Sequence, residues 1–361
     1  MGFYRLWHDT LGSAGGTHIS GNLWLNVLSK PITRLVPFLY TQIIRGRVVN
    51  AVSRQIHGSK MFLPKQIIIE PTMKCNIACK ECYAPNKNIF MTAQCLEKII
   101  REAMALGISR LVFMGGEPTV EKSFSMIAPF IKKYSNAFFT FCTNGTLITD
   151  RLVHAVRGRR NVAFAVSVDG PKSMTDEVRG KGVFDTAMAG IQRLVDADVS
   201  VAISLTTRAD DWLQQLDSDF IKSVVDRGVV VIYSHFQVKN HRIVLPEIDR
   251  LRFLKHLQML VRKYPIFFNE GYFGKMTPHG IVPRENHQVC IDPEGNVRTD
   301  RFEYTPTYGN VLETPLQTIL KNPALVAYKR KNRVDANNYL SDIIRPLREK
   351  GFRVYQPKIL Y

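Results

Sequence analysis

Gln66-Ile67-Ile68-Ile69-Glu70-Pro71-Thr72 reads as a buried strand. Two residues later comes Cys75-Asn76-Ile77-Ala78-Cys79-Lys80-Glu81-Cys82-Tyr83, with three cysteines at spacings of four and three. A strand that ends in a thiol-rich loop is a place to hold a metal. Three thiolates are one too few for a closed four-ligand site, and an open position is what catalytic metal sites keep. Zinc with a distant fourth ligand, or plain core thiols, remain alternatives. Zinc motifs usually show two Cys-x2-Cys or Cys/His pairs, and the chain has no second pair.

Outward from this stretch the pattern alternates between strand and helix. Strands are expected at 66–72, 110–114, 137–142, 162–168, 199–205 and 229–235. Helices are expected at 92–105, with Thr92 as N-cap, and at 123–134, 148–157, 184–197 and 211–227. Strands alternating with helices imply parallel βα units with right-handed crossovers. Six units close only part of an eight-stranded barrel. The fold class is therefore α/β, a (β/α)6 partial barrel, with a small α+β extension behind it. A further helix is expected at 246–263, a hairpin at 289–300 with a Gly-Asn turn, and a helix from Pro315.

The loops after the strands carry chemistry-bearing residues. Gly115-Gly116-Glu117-Pro118 follows the second strand, Thr143-Asn144-Gly145 the third, and Ser167-Val168-Asp169-Gly170 the fourth; Arg179 precedes Gly180-Lys181-Gly182-Val183-Phe184-Asp185. Paired glycines let backbone approach a ligand closely, and an arginine can fork a carboxylate. Cys-x3-Cys-x2-Cys-aromatic, with these four elements in order over residues 66 to 240, resembles the radical S-adenosylmethionine (radical SAM) enzymes. The resemblance implies that Cys75, Cys79 and Cys82 hold a 4Fe–4S cluster whose fourth iron is chelated by S-adenosylmethionine. It assigns Gly115, Gly116 and Glu117 to the amino group of that cofactor. Thr143, Asn144, Ser167 and Asp169 go to its remaining contacts, Arg179 to its carboxylate and Tyr83 to a place near the adenine. Reductive cleavage would give a 5'-deoxyadenosyl radical that removes hydrogen from an unactivated carbon. A reducing electron donor of flavodoxin or ferredoxin type is implied as partner.

Cys95 and Cys142 are expected as packing thiols. His235 ends the sixth strand and lines the cavity or moves a proton. Residues 61–265 are read as the barrel and 266–361 as an extension that closes over substrate. That extension resembles the SPASM or twitch kind through Asp292-Pro293-Glu294-Gly295-Asn296-Val297 and Gly309-Asn310-Val311. Where that pattern has a cluster cysteine this chain has Asp300, and only Cys290 is near, so no auxiliary cluster is expected.

Composition bounds the rest. The net charge is +18, and no acidic residue lies between Asp9 and Glu70. Residues 1–60 read as basic amphipathic segments; the run 35–44 is half the roughly twenty residues a spanning helix needs. Six cysteines, three clustered, do not read as a disulfide framework, and a reducing cytoplasm is the expected setting. Such a basic field favours anionic partners, among them a membrane surface. A lipid or isoprenoid is thus the first substrate class. A ribosomally made peptide is the second, and a non-catalytic nucleic-acid-binding module the third and least favoured.

Overall fold

A computed structural model describes residues 61–80, 82–208, 210–229, 231–236, 238–239, 242–243, 247–264, 267–270, 274–277, 280–282, 288–299 and 306–329. The basic segment 1–60 and Asp300 lie outside the described residues. The expected alternation is present. Strands β1 (Gln66–Thr72), β2 (Arg110–Gly115), β3 (Phe138–Thr143), β4 (Val162–Ser167), β5 (Ser200–Thr207) and β6 (Val231–Phe236) are joined in parallel, each to the next. Between them run α1 (Ala93–Ala105), α2 (Glu121–Lys133), α3 (Asp150–Val156), α4 (Lys172–Arg179), α5 (Val183–Asp196), α6 (Trp212–Gln215) and α7 (Ser218–Asp226). This is a (β/α)6 partial barrel. The helix ends follow local chemistry. Thr92 caps α1 by accepting from the Cys95 amide, and Thr149 caps α3 by accepting from Leu152; each such cap satisfies an orphan N–H.

Two features differ from the expectation. The stretch 211–227 is not one helix but the pair α6 and α7. Asp217 breaks it, because its carboxylate captures the amides of Asp219 and Phe220 and starts a new helix. Helix α4 was not expected at all. It ends on Arg179 with Gly180 at φ 111°, so the arginine is held at a helix C-terminus instead of in a turn.

Beyond the six units, β7 (Val238–Lys239) and β8 (Arg242–Ile243) form a small hairpin, and α8 spans Glu247–Lys263. Strand β9 (Phe267–Glu270) pairs in parallel with β6, and β10 (Gly274–Thr277) and β11 (Gly280–Val282) follow antiparallel. The expected hairpin is β12 (Gln288–Ile291) and β13 (Val297–Arg298), and β12 lies parallel to β1, in register Ile68 with Cys290. The extension thus continues the sheet at both ends of the order β11-β10-β9-β6-β5-β4-β3-β2-β1-β12-β13. It covers the β1 edge, where bare N–H and C=O groups would otherwise face solvent. Helix α9 (Leu316–Leu320) fixes it: the Leu316 amide donates to the Glu102 carboxylate of α1 and the Phe62 amide to the Leu320 carbonyl.

The core lies between sheet and helices. Phe113, Phe139, Phe141 and Phe164 project from neighbouring strands on that side, all fully buried. Their rings stack with centroids 5.0 to 5.8 Å apart. Such aromatic pairs add about 0.5–1.5 kcal/mol beyond burial. Phe141 touches three of these aromatic partners, counting Phe124 of α2. Phe141→Ala is expected to cost about 3–5 kcal/mol, read as a lowered denaturation midpoint with unchanged slope in urea titration.

Candidate active site

The cysteine loop is gripped at its neck. The Met73 amide donates to the Ile89 carbonyl and the Met91 amide to the Pro71 carbonyl, and Thr72 bridges Phe90 in antiparallel fashion. The loop between therefore leaves and rejoins the end of β1 through one narrow base. Inside it the Cys75 amide donates to Asn86 Oδ1 at 2.9 Å.

From the other side the loop is clasped by the turn after β2. The Gly116 amide donates to the Thr72 carbonyl and the Glu117 amide to the Lys74 carbonyl, at 2.9 and 2.8 Å. A Cβ on Gly116 would lie 2.4 Å from the Lys74 carbonyl oxygen; one on Gly115, whose φ is 109°, would lie 2.6 Å from that of Thr72. The expected reason for these glycines was approach to a ligand. The structure gives them a prior task, which is to let two backbones touch directly before Cys75. Tyr83 closes the same corner, its hydroxyl 3.2 Å from both the amide and the carbonyl of Gly115.

Glu117 ties this turn to the next. Its buried carboxylate accepts from the amide and hydroxyl of Thr119, the Thr143 hydroxyl at 2.6 Å and the Asn144 amide at 2.7 Å. Burial pushes its pKa up while these donors pull it down. Both oxygens are spent inside the protein, so what the turn presents outward is backbone. Asn144 reaches the loop: its Nδ2 donates to Asn76 Oδ1 at 2.9 Å and lies 3.8 Å from Cys75 Sγ.

The third wall is built on Asp169, also buried. One carboxylate oxygen accepts from Arg179 Nε at 2.6 Å and the other from the Thr206 amide at 2.9 Å. The carboxylate that Arg179 meets here is thus the protein's own. Its guanidinium also acts electrostatically on Cys79 and Cys82. The Lys80 amide, inside the loop, donates to the Val178 carbonyl of α4 at 2.8 Å. Sequence reasoning missed Gln215. It is fully buried, donates to the carbonyls of Asp169 and Thr206 and accepts from the Arg208 amide. Gly170, the residue after Asp169, packs on it so closely that a Cβ there would lie 2.9 Å from the Gln215 Cα. A glutamine in a four-residue helix gives no periodic or motif signal, so nothing local marks it.

Ser167 ends β4 half-buried beside Ser204. His235 lies in β6 opposite Thr206, and its side chain is outside the described residues. Cys95 and Cys290 are buried, in keeping with packing thiols, and Cys142 is half-buried in β3. Among the described residues, no three His, Cys, Asp or Glu side chains form a group for a single metal ion. The donor chemistry fits a cluster: three thiols on one loop, an amide donor at Cys75 and a guanidinium whose charge acts on Cys79 and Cys82. Burial pushes Cys75 up and Cys79 up to about 11, with Arg179 pulling Cys79 back down. Loading a metal there must therefore release protons.

Comparison with known proteins agrees with this geometry. Residues 69–209 match the Radical SAM superfamily. The chain is 29% identical over 145 residues to Fe-coproporphyrin III synthase of Methanosarcina barkeri, covering 39% of this chain and 36% of that protein. It is 29% identical over 177 residues to mycofactocin maturase MftC of Mycolicibacterium smegmatis, covering 46% and 45%. The chain thus spans less than half the length of either relative. In fold it resembles Streptococcus suis SuiB bound to precursor peptide SuiA, with TM-score 0.62 at 15% identity over 88% of this chain and 74% of that one. The matched span runs from within β1 to the residues just past Thr206, and so takes in Cys75, Cys79, Cys82, Glu117, Asp169 and Arg179: residues 69–209 form a Radical SAM domain.

Proposed function

We propose that this chain is a radical SAM enzyme acting on a ribosomally made peptide. The observation that carries the first half is the cysteine loop, fixed on one side by the Gly116–Glu117 backbone and on the other by the Val178 carbonyl of α4. When bound, a 4Fe–4S cluster with S-adenosylmethionine supplies a 5'-deoxyadenosyl radical that abstracts hydrogen from an unactivated carbon. The protein's part is positioning and shielding. Cys75, Cys79 and Cys82 hold the cluster. Asn144 donates toward Cys75, and Arg179 sets a positive charge beside Cys79 and Cys82. Gly115, Gly116, Glu117, Thr143, Ser167 and Asp169 shape the cofactor's seat, with Tyr83 at its edge. Residues 61–265 form the catalytic barrel and 266–361 its extension. A flavodoxin- or ferredoxin-type carrier provides the electron.

For the substrate, a peptide is favoured over the lipid that the charge pattern first suggested. MftC is a maturase by name, and SuiB, which shares the fold, was crystallised with a precursor peptide. The lipid reading leaned on residues 1–60, outside the described residues. No helix among the described residues is long and apolar enough to cross a membrane.

The test is 5'-deoxyadenosine formation by anaerobically reconstituted, dithionite-reduced protein. Cys79→Ala is expected to abolish it; a variant that still cleaved S-adenosylmethionine would sink the assignment. Gly116→Ala drives a methyl into the Lys74 carbonyl. It is expected to lower the iron and sulfide bound per chain after reconstitution, while far-ultraviolet circular dichroism stays that of the parent. Full cluster loading in Gly116→Ala would show that the clasp does not govern the loop.

A further inference from the structure

Asn144 is the residue by which the turn after β3 reaches the cysteine loop, and both ends of its side-chain amide are engaged. It is buried. Its Oδ1 accepts from the Thr146 amide at 2.9 Å and from the Thr146 hydroxyl at 2.7 Å. A backbone N–H can only donate, so the end held by Thr146 is the oxygen and the other end is the nitrogen. That Nδ2 donates to Asn76 Oδ1 at 2.9 Å and lies 3.8 Å from Cys75 Sγ. Asn76 closes a ring, because its own Nδ2 donates to the Thr146 hydroxyl at 2.9 Å. Each of the three side chains thus donates once around the cycle. One N–H of Asn144 is left over, and it is directed at the Cys75 sulfur. Among the described residues, Cys75 is the one cysteine of the loop that has a side-chain amide as donor.

We propose that Asn144 tunes the reduction potential of the cluster that Cys75 helps to hold, through an N–H donated to the Cys75 sulfur. Reduction adds one electron, and part of its charge falls on the ligand sulfurs. A donor there stabilises the more negative state more than the less negative one, so it raises the potential. Hydrogen bonds to the sulfurs are among the levers by which a protein sets that potential, and they act from beyond the ligands themselves. The cycle supplies what a lone asparagine lacks. A free amide could rotate and turn its oxygen to the sulfur, with the opposite effect. Here that rotation would break both bonds from Thr146 and set oxygen against Asn76 Oδ1. The sign of the dipole at Cys75 is therefore fixed by the protein. This rests on the reading of the cysteine loop as the seat of a 4Fe–4S cluster, and the experiment separates the two.

The measurement is the midpoint potential of the anaerobically reconstituted full chain, read by electron paramagnetic resonance along a reductive titration. S-adenosylmethionine is left out, so that no contact of Asn144 with that cofactor enters the result. Iron and sulfide per chain are determined on the same samples. Asn144→Leu removes the donor and is expected to lower the reduced-to-oxidised ratio at a fixed potential several-fold. Asn144→Asp keeps the shape and the oxygen that Thr146 holds, but turns a carboxylate oxygen toward Cys75. It is expected to lower the ratio more than tenfold, a fall in midpoint of more than about 59 mV for one electron. This order separates tuning from packing, because Leu breaks more of the cycle than Asp and a packing role would make Leu the worse of the two. Equal midpoints in all three proteins, the reverse order of the two variants, or variants that load no cluster while the wild type does would each overturn the proposal. A wild type that binds no iron and sulfide after reconstitution would instead overturn the cluster reading beneath it.

Discussion

The contact between the Gly116 backbone and that of Lys74 is the constraint from which the site is built. Two peptide units from successive βα loops lie so close that no side chain fits between them. Hydrogen bonds from Gly116 and Glu117 then hold them there. Cys75 is the very next residue, so main-chain packing sets where the first thiol begins, and its own contacts to Asn86 and Asn144 complete its placement. Main-chain clasps suit this role. They use groups every residue carries, and they are stiff where side chains would have rotamers to choose among.

The other two thiols depend on a different device. Arg179 acts electrostatically on Cys79 and Cys82, and it is held by a buried carboxylate that also fastens β5 through the Thr206 amide. A buried ion pair contributes little net stability by itself, because desolvation offsets much of its attraction. Its value here is directional. The Asp169 backbone is held as well, its amide by Thr175 and its carbonyl by Gln215, so the carboxylate that takes Arg179 Nε is fixed at its root. Glu117 and Asp169 are thus parallel solutions: two buried acids, each engaged by several donors, each locking one βα loop to its neighbour.

The alternation of strands and helices was legible because a sheet covered by helices forces apolar runs at strand spacing, and Ile67, Phe139 and Phe164 obey it. The site loops were legible because Gly115, Gly116, Glu117, Asn144 and Asp169 stand immediately after strand ends, where parallel sheets gather function. What those residues bond to was not legible. Glu117 and Arg179 read as groups offered to a ligand, yet each is engaged by its own chain, and partners such as Asn144 and Asp169 come from other βα units. Gln215 carried no signal, since its role exists only once β4, β5 and α6 are side by side. The break at Asp217 was missed for a local reason: the apolar spacing of 211–227 continues across it, and a capping aspartate overrides periodicity. The pairing of β12 with β1 joins segments more than two hundred residues apart, which no window along the chain can see.

That long-range pairing bears on the inner face. Parallel strands covered on both sides are normally apolar throughout, and adding β12 beside β1 covers one flank of the barrel, where Cys290 completes an apolar cluster with Ile68 and Met114. The β4–β6 flank has no such cover among its described inward residues, and there the same alternation delivers alanine, serine, threonine and tyrosine. A strand that keeps Ile203 and Leu205 toward the helices while placing Ala202, Ser204 and Thr206 inward is satisfying the core with one face only. On the other face Ala165 and Ala202 are still buried, and exposure begins only toward the strand end, at Ser204 and Thr206. Helix-facing and inward-facing residues thus alternate along one strand, and a slip of a single residue in register would exchange them. The Thr206 amide bonded to Asp169 adds a check on that register at the end of the strand where the site lies.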